Sequence, residues 1–391
     1  EQNQTCLDSA EREGLRPKGN VPNLRFPEFR GEWKESTIGE MFDLYSGNTP
    51  SRLNKEHFKG TVNWISSGEL KEHYIYSSKE QISEEAAKSL KLLPVGTFVI
   101  AIYGLEAEGV RGTGSIIQEP STISQACMSF ISKGVIENEF LYSWYKKHGN
   151  VIGIRYAQGT KQQNLSYDIL EKFKIAYPYA KEQEKLNNFI FLLDERISTQ
   201  NKIIDKLQSL IKGIRHDIFK DIQGEVLALS NIADIYQPQT ISSSDLTSEG
   251  YWVYGANGII GKYKEYNHET EQICITCRGN TCGTVNYTQP KVWITGNSMV
   301  INTDKYQRQV NKRFLFHYLS SYNFKSIVSG SGQPQIVRTP LEKIKVVLPT
   351  IEKQVRIANS IDIVSEKINT ESSVLRLLEN QKQYLLRQMF I

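Results

Sequence analysis

Several features that define familiar classes of protein are missing from this sequence of 391 residues. Its five cysteines are an odd number and give no disulfide framework. The purely apolar runs, such as Phe189–Leu193, are far too short to cross a bilayer, so no membrane partner is expected. Residues 1–20 lack the apolar centre of a signal peptide and are interpreted as a disordered or expression-derived extension. We therefore expect a cytoplasmic protein.

Motifs that carry catalysis are also missing. No two of the 12 prolines are adjacent, which excludes the Asp/Asn-Pro-Pro-aromatic motif of amino-methyltransferases. The Gly261-Lys262 pair is followed by Tyr263 and lacks the spacing of a phosphate-binding loop. The six histidines form no His-Glu-x-x-His motif, and there is no Gly-x-Ser-x-Gly elbow. We expect no enzymatic activity from this chain by itself.

One cluster of cysteines, Cys274, Cys277 and Cys282, has a spacing that half of a zinc site would show. The segment 272–277 has the composition of a strand, however, and a separation of three residues places the first two thiols on opposite faces. We therefore expect packed thiols and no metal. The formal net charge of +4 permits nucleic-acid binding without requiring it.

What the sequence does contain is an internal repeat. Residues 159–219 align without a gap with residues 330–390, and Tyr45 aligns with Tyr236 at a different offset. The sequence therefore predicts two copies of one frame around inserts of different length. Identical pairs in the gapless alignment include Gly159/Gly330, Gln162/Gln333, Pro178/Pro349 and Gln183/Gln354.

A helical pattern follows Pro178 and Pro349, since proline is common at the start of a helix. In both copies the apolar residues alternate at spacings of three and four, which predicts a coiled-coil seam. We expect the two helices to pair antiparallel about a pseudo-two-fold axis. The alternative is that each helix packs only on its own domain. The seam residues are Ile190, Leu193, Ile197, Gln200, Ile204, Leu207, Ile211, Ile214 and Ile218, then Ile361, Val364, Ile368, Glu371, Leu375, Leu378, Lys382, Leu385 and Met389.

The inserts alternate short apolar runs with turn signals, which predicts strands. Helical segments are predicted at 137–149 and 311–322. The predicted fold class is α+β, with two mixed α/β domains separated by two long helices that form an antiparallel coiled coil. The predicted boundaries are 21–180 and 225–350 for the domains, and 181–224 and 351–391 for the helices. Strands are predicted at 96–103, 115–117, 127–131, 273–277, 283–287 and 299–301.

Several segments carry distinctive local motifs. In the first insert they are Ser46–Ser51 and Val62–Leu70, in the second they are Tyr254–Gly261, Arg278–Val285 and Trp293–Asn297, and Val21–Trp33 precedes the first insert. These segments resemble the DNA-specificity subunit of Type I restriction-modification systems. The resemblance runs from about residue 21 to the end, and the combination of motifs is more specific than any one of them.

The resemblance implies a division of labour. Each insert is expected to be a target-recognition domain that binds one half of a split, asymmetric double-stranded DNA site, with the helices setting the spacer. Two methylation subunits would bring S-adenosylmethionine, and two restriction subunits would use ATP and Mg²⁺; this chain itself would hold no cofactor. The methylation subunits are expected to dock on the repeated helical regions. The setting would be the cytoplasm of a bacterium or archaeon, at the nucleoid.

Candidate DNA-binding residues are polar side chains near turns in the inserts, because recognition needs donors and acceptors at base edges and cations at phosphates. Arg278 is the strongest candidate, since a guanidinium contacts guanine with two hydrogen bonds. In the first insert the candidates are Asn48, Thr49, Ser51, Arg52, Ser66, Tyr103, Arg111, Thr113 and Gln125. In the second they are Tyr254, Asn257, Arg278, Asn280, Thr281, Asn297 and Ser298.

Four glutamines lie in the repeated loops before the helices: Gln162, Gln163, Gln333 and Gln335. Their repetition favours a shared role, either contact with the DNA backbone or capping of the following strand. Two other interpretations of the whole chain stay open. One is a non-catalytic coiled-coil scaffold with two protein- or ligand-binding domains; the other is the recognition half of a fused restriction-methylation enzyme.

Overall fold

The structure is a computed structural model that describes residues 19–107, 109–159, 163–256, 258–330 and 332–391. The chain divides into two compact units. Unit 1 comprises the residues up to Gln200 together with Val374–Ile391, and unit 2 comprises Asn201–Ser373. Each unit therefore contains one insert and a part of both long helices, whereas the boundaries predicted from the sequence kept each helix whole.

Unit 1 is a mixed α/β domain, as predicted. Its described strands are β1 (Lys34–Thr37), β2 (Phe42–Ser46), β3 (Val62–Ile65), β4 (Tyr74–Ile75), β5 (Glu80–Ile82), β6 (Phe98–Ala101), β7 (Gly114–Ile117), β8 (Ser121–Ile123), β9 (Cys127–Ser132) and β10 (Lys174–Tyr177). Its helices are α1 (Ile38–Met41), α2 (Glu84–Ala87), α3 (Asn138–Tyr156), α4 (Tyr167–Leu170) and the first half of α5 (Ala180–Lys220).

The main sheet of unit 1 has the strand order β2-β9-β6-β7-β4. Its central strand β6 is buried on both faces: Phe98 and Ile100 pack in the main core with α3, while Val99 and Ala101 pack in a second core. This explains why β6 is continuously apolar in sequence, since alternate side chains of a strand point to opposite faces. A smaller sheet has the order β5-β3-β8, and β1 pairs with β10.

Unit 2 repeats this plan with shorter connections. Its described strands are β11 (Glu225–Ala228), β12 (Asp234–Tyr236), β13 (Tyr251–Gly255), β14 (Gly258–Tyr263), β15 (Ile273–Thr276), β16 (Val285–Tyr287), β17 (Trp293–Ile294), β18 (Ser298–Asn302) and β19 (Lys345–Leu348). Its helices are the rest of α5, then α6 (Lys312–Ser321), α7 (Arg338–Glu342) and the first part of α8 (Ile351–Met389).

The sheets of the two units correspond, except that β4 has no counterpart among the described strands of unit 2. In unit 2 the orders are β12-β18-β15-β16, β14-β13-β17 and β11-β19. The small sheets even share their one parallel pairing, β3 with β8 and β13 with β17. The aligned tyrosines also match, since Tyr45 pairs with Ser129 and Tyr236 with Val300 at corresponding places. The predicted repeat with inserts of unequal length is confirmed.

The long helices have the predicted phase. All the predicted seam residues of α5 and α8 are buried or half-buried. From residue 190 to 199 and from 361 to 370 the pattern of burial is identical position by position. In unit 1, Leu186 and Ile190 near the start of α5 share a core with Leu385 and Met389 at the end of α8. In unit 2, Phe219 at the end of α5 packs against a core that contains Ala358 near the start of α8, so the chain directions are opposed. The predicted antiparallel pairing is therefore confirmed in both units.

A polar cluster ties the long helices to the domain in unit 1. The imidazole of His73 lies between two carboxylates, with Nδ1 3.1 Å from Asp194 on α5 and Nε2 2.8 Å from Glu139 on α3. Burial disfavours the charged ring, but the hydrogen bonds to these carboxylates outweigh it and raise the pKa of His73. Lys382 of α8 pairs with Asp194 from the other side.

Unit 2 has a corresponding cluster with the opposite protonation. His317 Nε2 donates to Asp362 on α8 at 2.7 Å, and Arg215 of α5 donates to Nδ1 at 3.0 Å. Because arginine has only donors, Nδ1 must carry a lone pair and the ring is neutral. Burial, aided by the charge of Arg215, lowers the pKa of His317 to about 4 despite its bond to Asp362. Arg313 completes the cluster by pairing with Asp362.

Other sequence predictions can be compared directly with this fold. The strands predicted at six places correspond to β6, β7, β9, β15, β16 and β18, and both predicted helices are present, although α3 continues to Tyr156. Cys274 and Cys277 are buried in different cores, as expected for opposite faces of β15. In the described part of the chain, no helix combines the length and hydrophobicity needed to span a membrane.

Candidate nucleic-acid interface

The central strand of unit 1 ends against a loop of the repeated frame. We call the described residues 158, 159, 163 and 164 the frame loop of unit 1. Beyond β6, Ile102 donates its backbone N–H to the carbonyl of Ala126 at 2.9 Å and accepts from the N–H of Leu165 at 2.9 Å. The next residue, Tyr103, forms a β-bridge with Asn164 of the frame loop.

Unit 2 makes the same connections with different side chains. Its frame loop comprises the described residues 329, 330 and 332–335. The backbone N–H of Cys277 donates to the carbonyl of Asn297 at 3.0 Å, and the carbonyl of Cys277 accepts from the N–H of Ile336 at 3.0 Å. Arg278 then forms a β-bridge with Gln335. Tyr103 and Arg278 therefore occupy equivalent positions, although the first insert is longer.

The side chain of Arg278 is exposed, and its guanidinium makes no hydrogen bond or ion pair with any part of the chain that the structure describes. It borders a cavity of about 340 Å³. The nearby Arg338, by contrast, has a partner within the protein, because its Nε donates to the carboxylate of Glu342 at 2.7 Å. The cavity is lined by Tyr236, Gln237, Cys277, Arg278, Met299, Gln335, Ile336, Val337 and Arg338.

A polar loop after β2 forms the corresponding edge of unit 1. Asn48 donates its backbone N–H to the carbonyl of Ile123 at 3.0 Å, and its side chain accepts from the N–H of Thr49 at 2.8 Å. The hydroxyl of Thr49 donates to the side-chain carbonyl of Gln125. The structure thus brings three predicted site residues together, with Asn48 and Gln125 exposed.

This loop depends on the glycine before it. A Cβ at Gly47 would lie 2.2 Å from the carbonyl oxygen of Ile123 and 2.4 Å from that of Ser124. Such contacts are far inside van der Waals distance, so any other residue would displace the chain. Gly47 is therefore needed for the close approach that positions Asn48 and Thr49.

Arg52 is held by partners within unit 1. It makes two hydrogen bonds to the carboxylate of Glu80, at 3.0 and 2.8 Å, and lies over the rings of Phe58 and Trp64 at 4.5 and 5.4 Å. The hydrogen bonds from Arg52 lower the pKa of Glu80. The cation must leave Glu80, or share it, before it can contact a phosphate.

Several other predicted site residues have structural contacts. Ser66 caps the turn at Ser67–Glu69, and the hydroxyl of Thr113 donates to the carbonyl of Val110 at 2.7 Å. Tyr254 is 8% exposed and packs in a core of unit 2. Ser298 is fully buried and donates to the carbonyl of Gly255 at 3.2 Å. The hydroxyls of Ser66, Thr113 and Ser298 are therefore engaged within unit 1 or unit 2, and the side chain of Tyr254 is buried.

The remaining candidates lie at or near the surface. Arg111 packs against Gly153, and its Nε is buried without a hydrogen-bond partner in the described structure. The backbone N–H of Gln163 donates to Glu106 at 2.9 Å. Asn297 is half-buried. Gln162 and Asn257 lie outside the described residues. Exposed candidates are Ser51, Asn280, Thr281, Gln333 and Gln335.

Three polar residues next to the candidates were missed from the sequence. Gln237 and Arg338 line the cavity beside Arg278, and Asn164 is bridged to Tyr103. The repeat offers a signal for Asn164, because the gapless alignment pairs it with Gln335. No comparable signal existed for Gln237 and Arg338, since their proximity to Arg278 arises only from the fold.

Residues 30–209 and 222–380 match the Type I restriction modification DNA specificity domain, so most of the chain is covered. The chain therefore belongs to the family of Type I restriction-modification DNA specificity proteins, with two copies of the domain.

Individual relatives agree with this assignment. The chain is 23% identical over 374 residues to the specificity subunit of the Type I restriction enzyme EcoprrI from Escherichia coli, covering 87% of this chain and 89% of that protein. It is 28% identical over 185 residues to the MjaIX specificity subunit from Methanocaldococcus jannaschii, covering 45% and 42%.

Solved structures share the fold. The crystal structure of a Type I restriction-modification S subunit from M. genitalium superposes with a TM-score of 0.63 at 18% identity, covering 95% of this chain and 99% of that one. A chain from a study of assembly of the type I R-M system gives a TM-score of 0.54 at 15% identity, covering 94% and 99%.

Proposed function

We propose that this chain is the sequence-specific DNA-binding subunit of a Type I restriction-modification complex and is not catalytic by itself. Each unit binds one half of a split, asymmetric site in double-stranded DNA. The observation that carries this proposal is the equivalence of Tyr103 and Arg278. One backbone scaffold occurs twice, and at the same place it presents different side chains, which suits two half-sites of different sequence.

The long helices set the distance between the half-sites. Helix α5 has 41 residues and α8 has 39. At about 1.5 Å per residue each spans roughly 60 Å, which is longer than one small domain requires. A fixed helical length holds constant the number of base pairs that neither unit contacts.

Two methylation subunits dock on the repeated helices. Leu192 of α5 and Ile363 of α8 support this, because they occupy the same position of the repeat and are 64% and 68% exposed. Single exposed apolar residues are common, but a matched pair in a pseudo-two-fold frame suits two copies of one partner. The surrounding burial pattern is the same in both helices.

The partners supply the cofactors and the chemistry. The methylation subunits bring S-adenosylmethionine, and two restriction subunits bring ATP hydrolysis with Mg²⁺, while this chain holds no cofactor. The complex works in the cytoplasm of a bacterium or archaeon, at the nucleoid. The chain's own contribution is to select the DNA site and to orient its partners on it.

The test is to co-express the chain with a Type I methylation subunit and to map methylated adenines in the host genome by long-read sequencing. The expected result is methylation confined to one split, asymmetric motif. The purified complex should also bind a duplex that carries this motif more tightly than one with scrambled half-sites, at a stated salt concentration. A complex that forms but neither methylates a motif nor prefers any duplex would favour the scaffold interpretation.

A further inference from the structure

The position shared by Tyr103 and Arg278 has a rigid backbone. In each unit the preceding residue uses both its N–H and its carbonyl in hydrogen bonds of 2.9 or 3.0 Å. The residue itself is bridged to the frame loop. A side chain that starts from a fixed backbone loses less conformational freedom on binding, so its contacts contribute more to discrimination between ligands.

The two side chains at this position differ in chemistry and in their contacts with the rest of the protein. Arg278 is exposed and makes no hydrogen bond or ion pair among the described residues, unlike Arg52 with Glu80. Tyr103 is half-buried, and its ring packs partly against the main core of unit 1. The repeat therefore preserves the backbone here while the side chain is free to vary.

There is also space for a ligand beside Arg278. The adjoining cavity of about 340 Å³ is bordered by the polar side chains of Gln237 and Arg338. Gly279, with φ of +84°, turns the chain away directly after Arg278. The arrangement leaves the guanidinium of Arg278 at an open edge, whereas Arg338 is paired with Glu342 and Gln237 donates to the carbonyl of Gly296.

We propose that this shared position contacts bases in both units, and that Arg278 contacts a guanine of the second half-site while Tyr103 contacts a base pair of the first. The proposal rests on the proposed function. A guanidinium donates two parallel hydrogen bonds to guanine O6 and N7, whereas a phenol offers one hydroxyl and a ring. Each frame loop positions its residue through the β-bridge, so that Tyr103 and Arg278 lie at equivalent places in the two units.

The experiment uses the full chain in complex with its methylation subunit. Arg278→Ala, Arg278→Lys and Tyr103→Phe are compared with the unaltered complex by methylome sequencing and by binding to duplexes with each base pair substituted in turn. For Arg278→Ala we expect preference for one guanine in the second half-site to fall by about 5-fold to 150-fold. Preference at every position of the first half-site should be unchanged.

The salt dependence of binding separates base contact from phosphate contact. Loss of a base contact leaves the slope of log affinity against log salt concentration unchanged. Loss of a phosphate contact makes this slope shallower by about one and weakens binding to all DNA sequences equally. We expect the unchanged slope. A reduced slope with intact base preference would overturn the proposal, since Arg278 would then be a phosphate contact.

Arg338→Ala is the matched control, because it removes an arginine from the same cavity that is already paired with Glu342. It should leave the motif unchanged; relaxation at the same guanine would overturn the assignment to Arg278. Tyr103→Phe should alter only the first half-site, and an unaltered first half-site would refute the shared position. If the unaltered complex has a split motif that no variant changes, this inference fails and the proposed function stands. If no motif exists, both fail.

Discussion

Gln183 and Gln354 make the same three hydrogen bonds in the two units. Both are 1% exposed, and each closes the junction between a domain and its long helix. The side-chain amide donates to two carbonyls and accepts from one backbone N–H. In unit 1 and then unit 2 the partners are Val135 and Gln309 (3.0 Å in both), Pro178 and Pro349 (2.9 Å in both), and the N–H groups of Glu137 (3.0 Å) and Asn311 (2.8 Å).

Replacing either glutamine by alanine should destabilise its own unit. The substitution leaves three backbone groups without their partner, one of them buried and two partly buried, and we expect the free energy of unfolding to fall by about 2 kcal/mol. Chemical denaturation of Gln183→Ala and Gln354→Ala measures this. The control is Gln208→Ala, an exposed glutamine of α5, which should change it by less than about 0.5 kcal/mol. Equal effects in all three variants would contradict the prediction.

The two histidine clusters should respond to pH in opposite directions. The pKa of His73 is raised in the folded protein. Its contribution to the stability of unit 1 is therefore fully present below about pH 6.5 and is lost as the pH rises through the folded pKa. The pKa of His317 is lowered to about 4, so unit 2 should lose up to about 3 kcal/mol as pH falls from about 6.5 to that value.

Unfolding measured from pH 4 to 8 checks this in His73→Gln and His317→Gln. The first variant should abolish the loss of stability at high pH, and the second should remove part of the loss at low pH. Hydrogen bonds with Arg313 and His317 lower the pKa of Asp362 against the effect of burial, so its contribution to stability is lost mainly below about pH 4, outside this range. Matching pH profiles of the unaltered chain and both variants would disprove the assignment.

Gly47→Ala should disturb the polar loop of unit 1. The added methyl group would overlap backbone oxygens, and we expect a loss of about 1–3 kcal/mol in stability together with weaker selectivity in the first half-site. Gly68→Ala is the control, because a Cβ there meets nothing within 4 Å. Thermal unfolding and duplex binding measure the two effects. A tolerated Gly47→Ala would mean that the loop adjusts freely.

Glu80→Gln should strengthen DNA binding by releasing Arg52. The carboxylate now holds the guanidinium with two hydrogen bonds, and its loss leaves the cation available for a phosphate. We expect the salt slope of duplex binding to steepen by about one. Glu85→Gln removes the same charge from an exposed position and should leave the slope nearly unchanged. Identical slopes for the two variants would argue against a latent phosphate contact at Arg52.

Leu192→Lys and Ile363→Lys should each remove one methylation subunit from the complex. A lysine at the centre of an apolar contact introduces a charge that docking would desolvate, so one of the two equivalent sites fails. Native mass spectrometry should show a single methylation subunit for each variant and none for the double variant. Leu210→Lys, at an exposed position that the repeat matches to Gln381, is the control and should retain both.

The fold followed from the sequence where periodicity and the repeat acted together. The alternation of apolar residues gave the central strands, and the spacing of three and four gave the seam of α5 and α8, because both patterns reflect which face is buried. The longer extent of α3 was missed. Its continuation beyond residue 149 includes exposed Val151 and Ile154, which break a simple amphipathic pattern.

The candidate interface followed only in part. Arg278 could be named because an arginine after a strand and before glycine is a recognisable arrangement. The ion pair of Arg52 with Glu80 and the burial of Ser298 could not be predicted from the sequence, because both depend on contacts between segments far apart in the chain. The equivalence of Tyr103 and Arg278 was also hidden, since the unequal inserts place them at an offset different from that of the helices.

Each insert enters and leaves its unit through neighbouring strands, since β1 pairs with β10 and β11 pairs with β19. These two strand pairs hold the two ends of each insert close together, with Lys34 opposite Tyr177 and Glu225 opposite Leu348. The residues between the paired strands can therefore change in number, or be exchanged, without changing the distance that the rest of the chain must span. A foreign insert with matching ends could thus be grafted at either strand pair, giving hybrid chains that combine half-specificities from different parents.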